Sequence, residues 1–548
     1  MKPSGKGRTV ARHVASDNPD VARTAQTTST RTRWTRIAAA AAAASILSLV
    51  ALSTRVVIVS AAATSCVDLQ AVAIESGRVD RVESVAAGAF HPSNGRGGNG
   101  ASTFSALRAF CRVSLTLTPS SDSDIKVEVW LPDTGWNTKL QAVGNGGWAG
   151  TISYPALATA IAKGYAAVST DTGHSTEGAS FAYGHPEKFI DYAYRSEHEM
   201  TVAAKALVAR YYGSRPTRSY FNGCSTGGRQ ALVEASRYPD DFDGIIAGAA
   251  ANPKAHLDAW RIWMAQAMFA NAESVIPPAK QRVLHDAVMN ACDALDGAKD
   301  GLLENPTRCR FDPGALQCRA GDEAGCLTAA QVKTARTIMS PPTNARGEVV
   351  FPTYEPGTEL GWSRLLGGPE AYDTAVDQYK YVVFNDPAWD WRTFDLERDT
   401  AAGDAAGHGV LAAVNPDLTA FAQHGGKLLT YHGWADPSIA PQASINFFTK
   451  TTAVTRAPAA SPEWIRLFMV PGMGHCSGGD GPDTFDMVSA LEAWVERGTP
   501  PTRIEASKIV NGRTVRTRPL CPYPQQARYS GTGSMDDAAN FTCVVSQQ

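Results

Sequence analysis

Short apolar runs recur along the middle of the chain, and helical patterns separate them. The runs at 125–131, 140–143 and 165–170 have the length of buried strands, and 198–212 has the period of a helix. Strands that alternate with helices indicate an α/β fold with a mostly parallel sheet and helices on both of its faces.

One interval is too long to be a simple crossover between strands. About 190 residues separate the helix that ends near 236 from the apolar run that begins at 427, far more than a crossover requires. The sequence therefore predicts an inserted lid at 252–417, between a first core part at 64–251 and a second at 418–548. Aromatic and methionine residues in the lid recur at helical spacing, which indicates packing more often than a pocket; they include Trp260, Trp263, Met264 and Met268.

The residues Gly-Cys-Ser-Thr-Gly at 223–227 place Ser225 between two glycines. A strand-like segment precedes them at 218–222 and a helical segment follows at 228–236. A sharp strand-turn-helix of this kind exposes the serine oxygen as a nucleophile. The alternative is an ordinary β–α turn with a structural serine.

A serine nucleophile requires a histidine base and a carboxylate that orients it, and both should follow in chain order. His475 comes after the apolar run 464–470 and before a helical segment at 486–497. Asp436 ends the run 427–435 in a turn closed by Pro437; its alternative is a turn aspartate that binds its own backbone. Four other histidines fit surface or packing roles: His174, His185, His408 and His424.

Acyl transfer also needs N–H donors for the oxyanion. The Thr226 N–H would provide one, and a glycine-rich loop after the run 140–143 would provide the other from Gly146 or Gly147. The loop lacks the spacing of a nucleotide-binding motif, so that interpretation is discounted.

The N-terminal 63 residues combine a basic flank, an alanine-rich apolar run and small residues, which predicts a secretory signal. A retained membrane anchor is the alternative, but the run is shorter than the ~20 apolar residues of a typical span. Ten cysteines in an exported chain favour disulfides over metal sites. If Ser225 and His475 meet, Cys224 and Cys476 are close enough to pair. We therefore expect a secreted or periplasmic protein.

The net charge of −2 gives no reason to expect a nucleic-acid partner or an anionic membrane surface. The chain also offers no signal for a stable membrane partner, and the oligomeric state is left open. A small-molecule substrate is the partner that these observations favour.

Three motifs resemble the tannase and feruloyl esterase family, which includes mono(2-hydroxyethyl) terephthalate hydrolase. They are Gly-Cys-Ser-Thr-Gly-Gly-Arg-Gln at 223–230, His-Gly-Trp-Ala-Asp-Pro at 432–437 and Gly-Met-Gly-His-Cys at 472–476. The resemblance implies an α/β-hydrolase core, Ser225 as nucleophile, His475 as base and Asp436 as its carboxylate. It implies a disulfide between Cys224 and Cys476, and four further bridges: Cys66 with Cys111, Cys292 with Cys309, Cys318 with Cys326, and Cys521 with Cys543.

Three aspartates lie within eight residues at 293–300, where a solvated Asp-Gly turn would be the ordinary interpretation. The family resemblance instead implies a structural calcium in the lid. Its ligands would be the side chains of Asp293, Asp296 and Asp300 and the carbonyls of Ala298 and Leu302.

By resemblance, the substrate is an aromatic carboxylic ester, such as a feruloyl, galloyl or related hydroxybenzoyl ester. Terephthalate monoester hydrolysis is a narrower alternative. Ile439 and Thr226 depart from the residues of the terephthalate enzyme, which favours the feruloyl and galloyl esters. A lipase or a peptidase is the alternative with the most similar reaction chemistry. A catalytically inactive secreted binding protein is the alternative from another class.

Overall fold

The structure is a computed structural model that describes residues 64–92, 104–460 and 463–545. The signal predicted at 1–63 lies outside the described residues. Within the described ranges, no helix combines the length and the apolar character needed to cross a membrane.

Nine strands form one sheet in the order β1-β2-β3-β5-β4-β6-β7-β8-β9. The pairings β1–β2, β2–β3 and β3–β5 are antiparallel. The remaining five, from β5–β4 to β8–β9, are parallel. The predicted, mostly parallel sheet is confirmed. Its strands are β1 (Gly77–Val85), β2 (Phe110–Leu117), β3 (Ile125–Pro132), β4 (Lys139–Val143), β5 (Ala166–Thr170), β6 (Arg218–Cys224), β7 (Gly244–Gly248), β8 (Lys427–Gly433) and β9 (Ile465–Val470).

Helices cover both faces of this sheet. Successive strand residues alternate between two cores: Phe221 packs on the face covered by the helices at 196–212 and 226–237, and Tyr220 on the face covered by those at 154–162 and 487–497. The helices are α1 (Tyr154–Ala162), α2 (Pro186–Ile190), α3 (Ser196–Tyr212), α4 (Thr226–Arg237), α5 (Lys254–Met268), α6 (Pro278–Cys292), α7 (Ala329–Ile338), α8 (Ser363–Leu366), α9 (Asp373–Asp377), α10 (Leu396–Ala405), α11 (Thr419–Gln423), α12 (Gln442–Val454) and α13 (Met487–Arg497).

The long interval between β7 and β8 is helical. None of its described residues, 249–426, joins the main sheet as a strand. Its apolar side chains form a separate core that includes Trp260, Met264 and Met268, so this stripe packs inside the lid as expected. Phe421 of α11 instead packs against the sheet. The lid boundaries at 252 and 417 stay predictions.

Two antiparallel hairpins complete the C-terminal part: β10 (Ile504–Val510) with β11 (Arg513–Leu520), and β12 (Gln525–Tyr529) with β13 (Phe541–Val545). All ten cysteines are paired, and the five expected pairings are confirmed. The bridges are Cys66–Cys111, Cys224–Cys476, Cys292–Cys309, Cys318–Cys326 and Cys521–Cys543.

Candidate active site

Ser225 occupies a sharp turn between β6 and α4. Its backbone has φ 65° and ψ −120°, a conformation that non-glycine residues rarely adopt. A Cβ atom on Gly223 would clash with the Gly227 carbonyl oxygen, and one on Gly227 would lie 3.0 Å from the Asn145 carbonyl oxygen. Gly223 therefore leaves no room for a side chain beside the serine, and Gly227 leaves very little.

Three side chains from separate elements form one hydrogen-bonded chain. The Ser225 Oγ lies 2.9 Å from His475 Nε2, and His475 Nδ1 lies 2.7 Å from Asp436 Oδ2. An ionised carboxylate can only accept, so His475 carries its proton on Nδ1 and leaves Nε2 free to accept the serine hydroxyl. The structure thus brings together the residues that the sequence predicted in the roles of nucleophile, base and carboxylate.

Asp436 is fully buried, yet its environment favours the charged form. Burial opposes ionisation, but the charge of His475 and hydrogen bonds from His432 and His475 outweigh it and hold the pKa of Asp436 well below its usual value. The N–H groups of Ser438 and Ile439 bind the other carboxylate oxygen at 2.7 and 3.1 Å. A carboxylate held in this way is a fixed negative charge beside His475.

The turn that carries Asp436 is attached to the lid. The Tyr354 hydroxyl donates to the Pro437 carbonyl at 2.7 Å, and Arg261 Nη2 donates to the Ser438 carbonyl at 2.9 Å. Tyr354 is 2% exposed and Arg261 7%; the bond from Arg261 is buried, and that from Tyr354 is partly buried. Neither contribution could be predicted from the sequence, since neither residue belongs to a recognisable motif.

The loop predicted to supply an oxyanion donor is held rigidly. The Gly146 carbonyl accepts a hydrogen bond from the Ala149 N–H at 2.9 Å. The Gly147 N–H belongs to the same trans peptide group and points to its opposite side, so this bond also fixes the direction of that N–H. The Gly147 carbonyl in turn accepts from the hydroxyls of Thr226 and Tyr192 at 2.6 and 3.2 Å. Thr226 is also the first residue of α4, where an N–H has no partner inside the helix.

The disulfide between Cys224 and Cys476 joins the residue before Ser225 to the residue after His475. It connects the end of β6 to the loop after β9 across 252 residues of chain. The bridge therefore limits how far the serine and the histidine can separate.

A cavity of about 300 Å³ opens beside His475. The lid contributes His285 and Arg364 to its lining, and the loop after the histidine contributes Asp480. His285 Nδ1 lies 3.0 Å from a carboxylate oxygen of buried Glu359. A cavity of this volume, lined by a few polar groups next to a histidine, suits a small organic substrate.

The predicted calcium ligands lie in the loop that follows α6. Their carboxylates bind backbone amides within the loop, as when Asp293 accepts from the Gly301 N–H and Asp296 from the Ala298 N–H. Asp300 also pairs with Arg518. As the described residues are arranged, no group of three or more His, Cys, Asp or Glu side chains could hold a metal ion. Calcium binding through Asp293, Asp296, Ala298, Asp300 and Leu302 stays a prediction, and no reaction step is assigned to it.

Two curated relatives resemble most of this chain. An uncharacterised esterase of Xanthomonas campestris is 37% identical over 541 residues, which is 89% of this chain and 92% of that protein. A probable feruloyl esterase B-2 of Aspergillus terreus is 36% identical over 470 residues, or 81% of this chain and 88% of that protein.

A crystal structure of feruloyl esterase B from Aspergillus oryzae has a similar fold, with a TM-score of 0.81 and 32% identity. The similarity covers 87% of this chain and 99% of that one. The expected α/β-hydrolase type of fold is confirmed. The family model described as "Tannase and feruloyl esterase" matches residues 111–544, most of the chain. The chain therefore belongs to the tannase and feruloyl esterase family.

Proposed function

We propose that this protein is a serine carboxylic-ester hydrolase that cleaves aromatic esters through an acyl-enzyme. The observation that supports it most is the hydrogen-bonded chain from Ser225 through His475 to Asp436, with separations of 2.9 and 2.7 Å. A hydroxyl placed against the free nitrogen of an oriented imidazole can lose its proton as it attacks a carbonyl.

In the acylation step, His475 Nε2 takes the Ser225 proton while the serine oxygen bonds to the ester carbonyl carbon. The N–H groups of Thr226 and Gly147 would receive the oxyanion, with Gly146 as the alternative donor in that loop. When the carbon–oxygen bond to the alcohol breaks, His475 transfers its proton to the departing alcohol.

Deacylation repeats these transfers with water. His475 takes a proton from water, the resulting hydroxide bonds to the acyl carbon, and the bond to the Ser225 oxygen breaks. The proton returns to the serine and the free acid departs. Throughout, Asp436 remains ionised and keeps the His475 Nδ1 proton in place, as its lowered pKa favours.

For the substrate we propose a feruloyl, galloyl or related hydroxybenzoyl ester. The similarity to proteins named as feruloyl esterases supports this class. Terephthalate monoester hydrolysis is retained as the narrower alternative. Ile439, which would be aromatic in the terephthalate enzyme, is fully buried and packs in the core of the lid.

Covalent labelling tests the enzyme proposal. A fluorophosphonate probe should label the folded protein once, and Ser225→Ala should abolish both labelling and ester hydrolysis. Ser477→Ala is a matched control, since Ser477 lines the cavity beside His475 and has no assigned role in the reaction. A folded protein that neither reacts with the probe nor cleaves any ester would favour a secreted binding protein instead.

A substrate panel separates the neighbouring hydrolase classes. Methyl ferulate, methyl gallate, mono(2-hydroxyethyl) terephthalate, tributyrin and a peptide amide would be compared by kcat/KM. We expect the first two to be the best substrates. Preference for tributyrin or for the peptide would replace the proposal with a lipase or a peptidase.

We also propose that the protein acts outside the cytoplasm, in the periplasm or the external medium. Five disulfides support this location, because such bridges form and persist in oxidising compartments. Cell fractionation of an expressing strain checks it, and accumulation of reduced protein in the cytoplasm would contradict it.

A further inference from the structure

A second histidine contacts the carboxylate of the proposed triad. His432 lies near the end of β8 and is fully buried. Its Nε2 is 3.0 Å from Asp436 Oδ2, the same oxygen that accepts from His475 Nδ1. Two imidazole rings therefore share one oxygen of one buried carboxylate.

The neighbours of His432 fix the position of its proton. Nε2 also lies 3.1 Å from the Ile439 carbonyl oxygen, so both partners of this nitrogen can only accept. Nε2 must carry hydrogen to bind them. Nδ1 lies 2.7 Å from the hydroxyl of Ser444 on α12, and with the hydrogen on Nε2 it accepts a hydrogen bond from that hydroxyl. The Asp436 carboxylate and the Ile439 carbonyl thus select the tautomer that donates toward Asp436, and Ser444 supports it.

We propose that His432 is a positioning residue of the esterase, which acts on His475 through Asp436. Its Nε2–H fixes the direction of Asp436 Oδ2 and withdraws part of its negative charge. The other oxygen is already bound by the Ser438 and Ile439 amides, so the two sets of donors together hold the carboxylate plane. This inference rests on the proposed ester hydrolysis and adds a fourth side chain to the triad.

The other charged or titratable groups near this turn contact either backbone carbonyls or Asp436 itself. From the lid, the Tyr354 hydroxyl and the Arg261 guanidinium bind the carbonyls of Pro437 and Ser438. From the loop after β9, His475 binds Asp436 itself. Removal of the His432 donor therefore alters the partner of His475 without displacing the lid contacts.

The test compares His432→Leu, His432→Gln and Ser444→Ala with the unaltered protein. A hydrogen bond to a charged group changes rates by about ten- to hundredfold, so the Leu variant should lose that much kcat with little change in KM. Gln keeps an N–H donor at the distance of Nε2 and should stay within about threefold of the unaltered protein. The kcat of Ser444→Ala should lie between those of the Leu and Gln variants.

The pH profile of kcat/KM gives a readout that a purely structural role would not change. With one donor fewer, Asp436 is a stronger partner for the His475 imidazolium, which then holds its proton to higher pH. We expect the acid limb of the Leu variant to move up by about half a unit, while the Gln variant coincides with the unaltered protein.

Equal losses in the Leu and Gln variants, or an unchanged acid limb in a folded Leu variant, would overturn the proposal. If the Leu variant does not fold, Ser444→Ala carries the comparison: a rate and profile identical to those of the unaltered protein would count against the role. The low-field proton resonance of His475 Nδ1 provides a measure that needs no turnover. If the unaltered protein cleaves no ester, the proposed function fails, whereas a resonance unchanged in the variants is a failure of this inference.

Discussion

Two aspartate-bearing turns of this protein provide opposite environments for a carboxylate. The turn at 436–439 surrounds Asp436 with donors from His432, His475 and two backbone amides, and these keep its pKa low. In the loop after α6, burial and the negative charge of neighbouring acids raise the pKa of Asp293 and Asp296. Burial also raises the pKa of Glu304 nearby to about 8.

The difference shows that the surroundings, and not the turn itself, determine the direction in which the pKa of a carboxylate shifts. Both turns follow the end of a regular element, and both have a disulfide close by. In the first turn, protein donors bind both carboxylate oxygens of Asp436, so the carboxylate can orient a histidine. The second places the acidic side chains of Asp300 and Glu304 around Arg518.

The largest effect should come from Asp436→Asn. An amide retains the shape of the side chain but can stabilise the wrong tautomer of His475, and the comparable change in a serine protease triad lowers kcat about 10⁴-fold. Initial-rate kinetics on methyl ferulate measure the loss. A fall of less than tenfold would mean that another group orients His475.

Asp293→Asn is the matched control for this change, because it makes the same replacement of a carboxylate by an amide in the other turn. We expect it to leave kcat within about threefold, since Asp293 has no contact with Ser225 or His475. Equal losses of kcat in both variants would abolish the distinction between the two turns.

The next effect concerns the disulfides beside each turn. Loss of Cys224–Cys476 by paired Cys→Ala replacement opens a loop of 252 residues, and the chain-entropy model assigns such a loop on the order of 5 kcal/mol. It should also lower kcat, because Ser225 and His475 are no longer tied together. Denaturant unfolding and initial rates measure the two effects.

The bridge Cys292–Cys309 closes a separation of only 17 residues, and the same replacement there should cost about 3 kcal/mol. Its removal should leave kcat nearly unchanged in protein that remains folded. If both pairs reduced kcat equally, the bridge at the site would have no special role in holding the serine near the histidine.

Much of the proposed site could be predicted from the sequence because its signals are local. Ser225 lies between glycines in a strand-turn-helix, and Asp436 and His475 each lie in the loop that follows a strand, in the expected chain order. Strands β3, β4, β5, β6, β8 and β9 each coincide with a segment that the sequence predicts as a strand, whereas β2 and β7 were not predicted. The half-exposed edge strand β1 was not predicted either, since its charged residues alternate with only partly buried ones.

The supporting contacts could not be predicted, because they join residues far apart in the chain. Tyr354 is 83 residues from Pro437, and Arg261 is 177 from Ser438. His432 is near Asp436 in sequence, but the contact depends on the turn folding back against β8. No periodicity encodes such tertiary placements.

Calcium removal tests the second turn directly. Elemental analysis should find about one calcium per chain, and a chelator should lower the stability, since a ligand at a hundredfold excess over its Kd contributes about 2.7 kcal/mol. The double variant Asp293→Asn and Asp296→Asn should lose this response. Asp436→Asn should keep it. Metal-free protein with unchanged thermal stability would show that the loop does not bind calcium.

The smallest effect should come from the lid contact to the first turn. Tyr354→Phe removes the hydroxyl that binds the Pro437 carbonyl and leaves the ring packed against Trp260 and Trp362. A typical intramolecular hydrogen bond contributes about 0.5 to 1.5 kcal/mol, so the free energy of unfolding should fall by that amount and kcat by only a few-fold. Tyr381→Phe is the control, because this partly buried lid residue has no contact with the turn. A loss of kcat as large as that of Asp436→Asn would mean that the lid, rather than the donors on the carboxylate, holds Asp436 in position.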